Sequence, residues 1–258
     1  MAEQLITYEL DGEVALLGLN RPEKRNCLNP DVFAALHQAV LRAGDEAKCG
    51  VVFGHGTNFS AGLDLAWAAA TWKEGRSQRL PFPRHPALNE MARGAIPWVA
   101  AVHGATVGGG LELAACAHLR VADETAFFGM PEATRGIFVG GGGSVRIQRL
   151  LGTARMADLM LTGRTLNAQE AERYNLLQYV VPAGQALAKA RELATRICQN
   201  APLSNFAVVN SLPRIGDLSY EDGLFVERLA AEYTRSTEST ERLRAFLDKS
   251  VPPLRAPE

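Results

Sequence analysis

Two short apolar runs that stop at glycine turns constrain this chain most. Val51-Val52-Phe53 ends in Gly54-His55-Gly56, and Trp98-Val99-Ala100-Ala101-Val102 ends in His103-Gly104. Apolar runs of this length, bounded by turn residues, predict short buried strands. After the second run the pattern repeats: a glycine turn, an apolar helix over 111–117, strands over 119–121 and 126–128, and another glycine turn. Strand-strand-helix units in succession predict an α/β fold in which the chain winds as a right-handed spiral.

The flanking segments fit that frame. Ile6, Tyr8 and Leu10 alternate with Thr7 and Glu9, and Asp11-Gly12 precedes Val14-Ala15-Leu16-Leu17, a strong hairpin signal. Asn29-Pro30-Asp31 supplies a cap, a proline for the first helical position and a first-turn acid. Phe33, Leu36 and Val40 follow at helical spacing, predicting a helix to about residue 42. Between the two buried strands, 66–93 turns polar, with Lys73 to Gln78 followed by Pro81, Pro83 and Pro86. This stretch is expected to be a mobile loop over a site. Beyond Thr153 helices are predicted over 156–161, 168–174, 185–200, 202–212, 221–236 and 239–249, with one strand near Tyr179-Val180-Val181. The expected organisation is a spiral core over 1–200 and a helical region over 201–258.

Composition removes several classes of function. A chain of 258 residues, 47% hydrophobic and 21% charged, buries a core without metal or disulfide staples. Lys and Arg number 27 against 28 Asp and Glu, leaving a net charge of −1, and no local basic patch points to nucleic acid or an acidic membrane. Cys27, Cys49, Cys116 and Cys198 lie far apart, without a C-x-x-C pair or a neighbouring histidine at ligand spacing, so reduced structural thiols and no metal are expected. The start, Met1-Ala2-Glu3-Gln4-Leu5, lacks a basic region with a long apolar stretch, and no run of about 18 apolar residues occurs. A cytoplasmic protein is expected.

Chemistry concentrates at three places. In Phe59-Ser60-Ala61-Gly62-Leu63-Asp64-Leu65 a glycine bends the chain and leaves backbone N–H groups for an oxyanion, or the segment is a tight strand-to-helix turn capped by Asp64. Gly108-Gly109-Gly110 opens an apolar helix. Its unpaired first-turn N–H groups suit developing negative charge, or its glycines permit close packing. Glu112, an acid within that helix, is costly unless paired or used. A second acid, in Phe128-Gly129-Met130-Pro131-Glu132, either shares a pocket with Glu112 or merely starts a helix.

Other motifs carry less. Gly140-Gly141-Gly142-Gly143 has no following Lys-Ser/Thr and reads as a close-packing turn. No G-x-S-x-G elbow accompanies Ser60 or Ser144. His37, His55 and His118 read as turn, surface or packing residues, while His85 and His103 are candidates for the site lining.

Four segments in order, Asn20-Arg21-Pro22-Glu23-Lys24-Arg25-Asn26, the Phe59-to-Leu65 turn, Ala101 through Glu112, and Phe128-Gly129-Met130-Pro131-Glu132, resemble the enoyl-CoA hydratase/isomerase (crotonase) family across nearly the whole chain. Leu161-Thr162-Gly163-Arg164 and Ala245-Phe246-Leu247-Asp248-Lys249 extend the match. The resemblance implies an acyl-CoA thioester substrate, no separate cofactor, and a homotrimer or dimer of trimers formed through the C-terminal helices.

It also implies roles. The N–H groups of Leu63 and Gly109 would hold the thioester oxygen as an enolate develops, each donor worth about 3–4 kcal/mol in the transition state. Glu112 would activate water for attack at C3, and Glu132 would deliver a proton to C2. An apolar site would have to raise a glutamate from its ordinary pKa, about 4.3, for it to protonate carbon near neutrality. Lys24 and Arg25 would approach the CoA phosphates, with Ala61, Asp64, Leu65 and Gly108 in the substrate-binding set. Phe246 and Lys249 would reach the nucleotide end from a neighbouring subunit. Val139, His118 and Arg242 replace residues common in the family, a proline, an aspartate and a glycine, and none of them removes a proposed catalytic atom. Retention of both acids implies hydration of a 2-enoyl-CoA. The alternatives are an isomerase or other CoA-enolate enzyme, or an acyl-CoA-binding protein without turnover.

Overall fold

A computed structural model of the chain describes residues 4–71 and 85–250. They divide into two compact units, Met1–Cys198 and Gln199–Glu258. In the first, strands β1 (Ile6–Asp11) and β2 (Val14–Leu19) form the expected antiparallel hairpin. Strands β3 (Cys49–Gly54), β4 (Trp98–Val102), β6 (Leu119–Asp123) and β9 (Tyr179–Val181) continue it in parallel, giving the order β1-β2-β3-β4-β6-β9. A smaller sheet joins β5 (Ala105–Val107), β7 (Phe127–Gly129) and β8 (Thr165–Asn167).

The uninterrupted apolar runs follow from burial of the large sheet on both faces. On one face Leu16, Val51, Val99 and Val121 pack against Ala190, Leu193 and Ala194 of helix α8 (Ala186–Cys198). On the other, Leu17, Val52, Trp98 and Val102 belong to the main core with Leu36 and Val40 of α1 (Pro30–Glu46) and Leu88 and Met91 of α3 (Pro86–Arg93). Gly50 sits opposite Trp98 in the register, and a Cβ there would lie 2.3 Å from the indole ring. Gly50→Ala is therefore expected to destabilise the fold by about 1–3 kcal/mol, read as a lower denaturant midpoint at unchanged slope.

Each coil of the spiral follows one path: a strand of the large sheet, a short stretch at the small sheet, then a helix. From β4 the chain passes through β5 into α4 (Gly109–Ala114); from β6 it passes through β7 toward α5 (Gly143–Leu151). From β3 it passes through Ser60, which makes a single parallel bridge to Thr106, into α2 (Leu65–Thr71). The small-sheet stretches lie side by side, with Ser60 N–H donated to Ala105, Val107 paired with Gly129 and Gly108 N–H donated to Gly129. Leu63, Gly109 and Glu132, each a few residues further on, are neighbours for that reason.

Several elements differ from the sequence reading. Helix α1 continues to Glu46, because Gly44 is accommodated beside Ala95 and Ala43 is buried beneath the last turn. Helix α4 ends at Ala114 rather than at 117: tight turns close over Cys116 and Ala117, and the Arg120 guanidinium takes the Ala117 carbonyl as the chain enters β6. Within the stretch expected to be a loop, Leu65–Thr71 and Pro86–Arg93 are helical, while Trp72, Lys73 to Gln78, Pro81 and Pro83 lie outside the described residues. Helices α6 (Thr153–Thr162) and α7 (Ala168–Arg173) complete the first unit.

The second unit contains α9 (Pro202–Ile215), α10 (Tyr220–Tyr233) and α11 (Thr237–Leu247). Phe206 and Tyr233 bring α9 and α10 together, their ring centroids 6.1 Å apart. Among the described residues no helix is long and apolar enough to cross a membrane.

Candidate active site

The turn after β3 is held from three sides. Ser60 Oγ donates to the Asn26 carbonyl at 2.8 Å and accepts the Gly62 N–H at 3.1 Å. Leu28 donates its N–H to the Gly62 carbonyl and accepts that of Asp64, and Ala61 donates to the Arg25 carbonyl. Asp64 accepts the Trp67 N–H at the start of α2, as a cap should, and pairs with buried Arg21 at 3.1 Å. The Trp67 N–H, helped by the Arg21 guanidinium, holds the Asp64 carboxyl below the usual carboxylate range. The Asn20-to-Asn26 motif is thus the clamp on this turn. Asn26 accepts the Arg21 N–H through Oδ1 and donates to the His55 and Asn58 carbonyls.

Clamping leaves Leu63 N–H without an acceptor among the described residues, and the same holds for Gly109 N–H. The two are close: a Cβ on Gly62, whose φ is +86°, would lie 3.0 Å from Gly109 N, and a Cβ on Gly109 would lie 3.5 Å from Leu63 N. The three consecutive glycines do different things. Gly108 has φ +54°, and a Cβ there would come within 3.0 Å of Glu132 Oε1. Gly110 packs so tightly that a Cβ would meet the Ser60 carbonyl at 2.4 Å. Close packing therefore explains Gly110, whereas Gly109 stands at an opening.

That opening belongs to a cavity of about 460 Å³ lined by both Glu112 and Glu132, with Leu28, Phe33, Leu63 and Leu88 among its walls. Glu112, 6% exposed, accepts the N–H groups of Gly141 and Gly143 on Oε1, each at 2.8 Å. The 140–143 run is thus more than a close-packing turn; its amides hold a carboxylate. Arg146 steadies this turn by donating to the Gly141 carbonyl at 2.8 Å and to Asn89 Oδ1 at 2.7 Å. Glu132 precedes a short 3-10 turn over Ala133–Arg135 but makes no side-chain cap bond. Its Oε2 is buried without a hydrogen-bond partner among the described residues. Burial, reinforced by the charge of Glu112, pushes the Glu132 carboxyl above its ordinary pKa.

The remaining candidates are more dispersed. Lys24 and Arg25 are exposed on the turn before α1, and Leu65 is exposed at the start of α2. Phe246 and Lys249 are exposed in the second unit. His85 lines the cavity, whereas His103 meets the Gly56 carbonyl away from it. His118 accepts the Trp98 N–H, and burial pushes its pKa down to about 4, as for a packing residue. All four cysteines are free thiols, and no three metal-ligating side chains group together among the described residues. Sequence reading passed over Gly141, Gly143 and Arg146; the run of four glycines was the one local signal of that amide cradle.

The sequence profile of the enoyl-CoA hydratase/isomerase family matches residues 9–256. The chain is 33% identical to 2,3-dehydroadipyl-CoA hydratase of Escherichia coli K12 over 98% of both sequences. It is also 33% identical to enoyl-CoA hydratase EchA19 of Mycobacterium tuberculosis H37Rv, over 95% of this chain and 94% of that one. A solved structure of a candidate enoyl-CoA hydratase from Rhodopseudomonas palustris CGA009 superposes with a TM-score of 0.90 at 43% identity, covering 96% of each chain. The chain belongs to the enoyl-CoA hydratase/isomerase family.

Proposed function

We propose that the protein is an enoyl-CoA hydratase, adding water reversibly across the 2,3 double bond of a 2-enoyl-CoA thioester. The observation that carries this reading is the unlike pair of carboxyls on one cavity. Glu112 has one oxygen committed to two amides, while Glu132 has a buried, unpartnered oxygen and a raised pKa. Two acids whose environments differ in this way suit a base and an acid acting together.

The thioester oxygen accepts the N–H groups of Leu63 and Gly109. Glu112, through Oε2, takes a proton from water as its oxygen bonds to C3. The C2–C3 π electrons move toward the thioester oxygen, and the enolate collapses by taking the Glu132 proton at C2. Proton exchange with solvent resets both carboxyls. Water and substrate balance the reaction without a cofactor, coenzyme A entering as part of the substrate.

Incubation with crotonyl-CoA, longer-chain and aromatic 2-enoyl-CoAs tests the reading. Loss of the conjugated thioester absorbance with gain of one water in product mass is expected, and no hydration of any of them would overturn it. Because Glu132 donates as a neutral acid, kcat should fall as pH rises through its pKa, on a limb displaced upward from the ordinary carboxyl range. The limb should vanish from the residual rate of Glu132→Gln.

The reading extends to assembly. Lys24 and Arg25 meet the CoA phosphates, with Ala61, Asp64, Leu65 and Gly108 framing the substrate. In a homotrimer or a dimer of trimers, Phe246 and Lys249 reach the nucleotide end from a neighbouring subunit. Apolar surface in the second unit, with Tyr220 78% and Leu247 75% exposed in the single chain, supports such an assembly.

A further inference from the structure

We infer that the paired rings of Phe33 and His85 form the wall that limits acyl chain length, so that the enzyme prefers short 2-enoyl chains. This rests on the hydratase reading. The two ring centroids lie 4.8 Å apart. Both residues line the cavity that holds Glu112 and Glu132, and both also line a second cavity of about 700 Å³. Side chains that face two cavities partition them. Pro30 and Trp67 complete the shared wall.

Beyond the wall, Ala34, Ala35, Pro86 and Ala87 offer small apolar surface alongside the polar side chains of His37 and Gln38, a mainly apolar space that admits further methylenes. Phe33 lies on α1 and His85 directly precedes α3, so the ring pair bridges two packed helices whose backbones need not move when a ring is removed. Among the described residues the His85 ring makes its one ring contact with Phe33 and no hydrogen bond. Burial holds the His85 pKa below its ordinary value, in keeping with a neutral ring against a hydrocarbon chain.

The test compares kcat/KM for crotonyl-, hexenoyl-, decenoyl- and hexadecenoyl-CoA in the wild type, the Phe33→Ala/His85→Ala double variant, His85→Phe, and Phe138→Ala, which trims a side chain lining the first cavity but not the second. Wild-type kcat/KM should drop steeply with length. In the double variant the decenoyl-to-crotonyl ratio should rise by about tenfold or more, the scale set by one added methylene in an apolar pocket. His85→Phe, which keeps the wall filled, should retain the wild-type ratio. Should the double variant not fold, Phe33→Leu and His85→Ala carry the same comparison. The inference is overturned by an unchanged length profile, by the same shift in Phe138→Ala, or by a wild type that handles hexadecenoyl-CoA as well as crotonyl-CoA. Absence of wild-type turnover on every chain overturns the hydratase reading and this inference with it, and is distinct from those outcomes.

Discussion

Glu132→Gln is expected to lower kcat for hydration of crotonyl-CoA by about 10²- to 10⁴-fold, the range that removal of a positioned general acid commands. The amide keeps the shape of the side chain but puts an NH2 group, which does not give up a proton, in place of the acidic O–H. Glu132 Oε2 has no partner among the described residues, so no hydrogen bond is broken there, and a carboxyl that burial already disfavours as an anion is replaced by a neutral group. Thermal stability should therefore hold or rise slightly while turnover collapses. Stopped-flow single turnovers separate the outcomes: a slow chemical step with intact acyl-CoA binding is expected, whereas near-wild-type turnover would remove Glu132 from the reaction.

Gly109→Ala is the second large effect, a loss of about 10²- to 10³-fold in kcat/KM, as for deletion of one oxyanion donor. The added methyl meets nothing nearer than 3.5 Å, and the atom at that distance is Leu63 N. The backbone therefore accepts the substitution, but the methyl occupies the opening through which, on the proposed reading, the thioester oxygen approaches both N–H groups. Gly110→Ala is the contrast, since its methyl would meet the Ser60 carbonyl at 2.4 Å and should lower stability first. Matched measurements of melting temperature and kcat/KM on the two variants check the assignment. Wild-type turnover in a well-folded Gly109→Ala protein would refute it.

What the sequence made legible was local. The Asp11-Gly12 hairpin, the Asn29 cap with its Val32 N–H bond, and the buried strands flanking α2 and α3 depend on neighbouring residues and were readable as such. Glu112 stood out because an acid in an apolar helix needs a reason. Its reason was not readable, since the amides that hold it belong to Gly141 and Gly143, on a different coil. Helix α5 was missed because its start is hidden in the glycine run, β5 because Ala105-Thr106-Val107 lies between two glycine turns, and β8 because Thr165-Leu166-Asn167 has a single apolar residue. The ambiguity over Gly108-Gly109-Gly110 had a physical source: packing and access both require the absence of a side chain, and only the neighbours of each position separate them.

The side-by-side placement of short stretches at the small sheet makes the site modular. Leu63 comes from one coil, Gly109 and Glu112 from the next, and Glu132 from the third, each fixed by hydrogen bonds of its own coil or its neighbour. A change of one acid would leave the paired N–H groups where they are. On the proposed reading the scaffold keeps its grip on a thioester enolate while the groups that decide where the proton goes are exchanged, so new reactions are reachable by single substitutions that leave the winding of the chain intact.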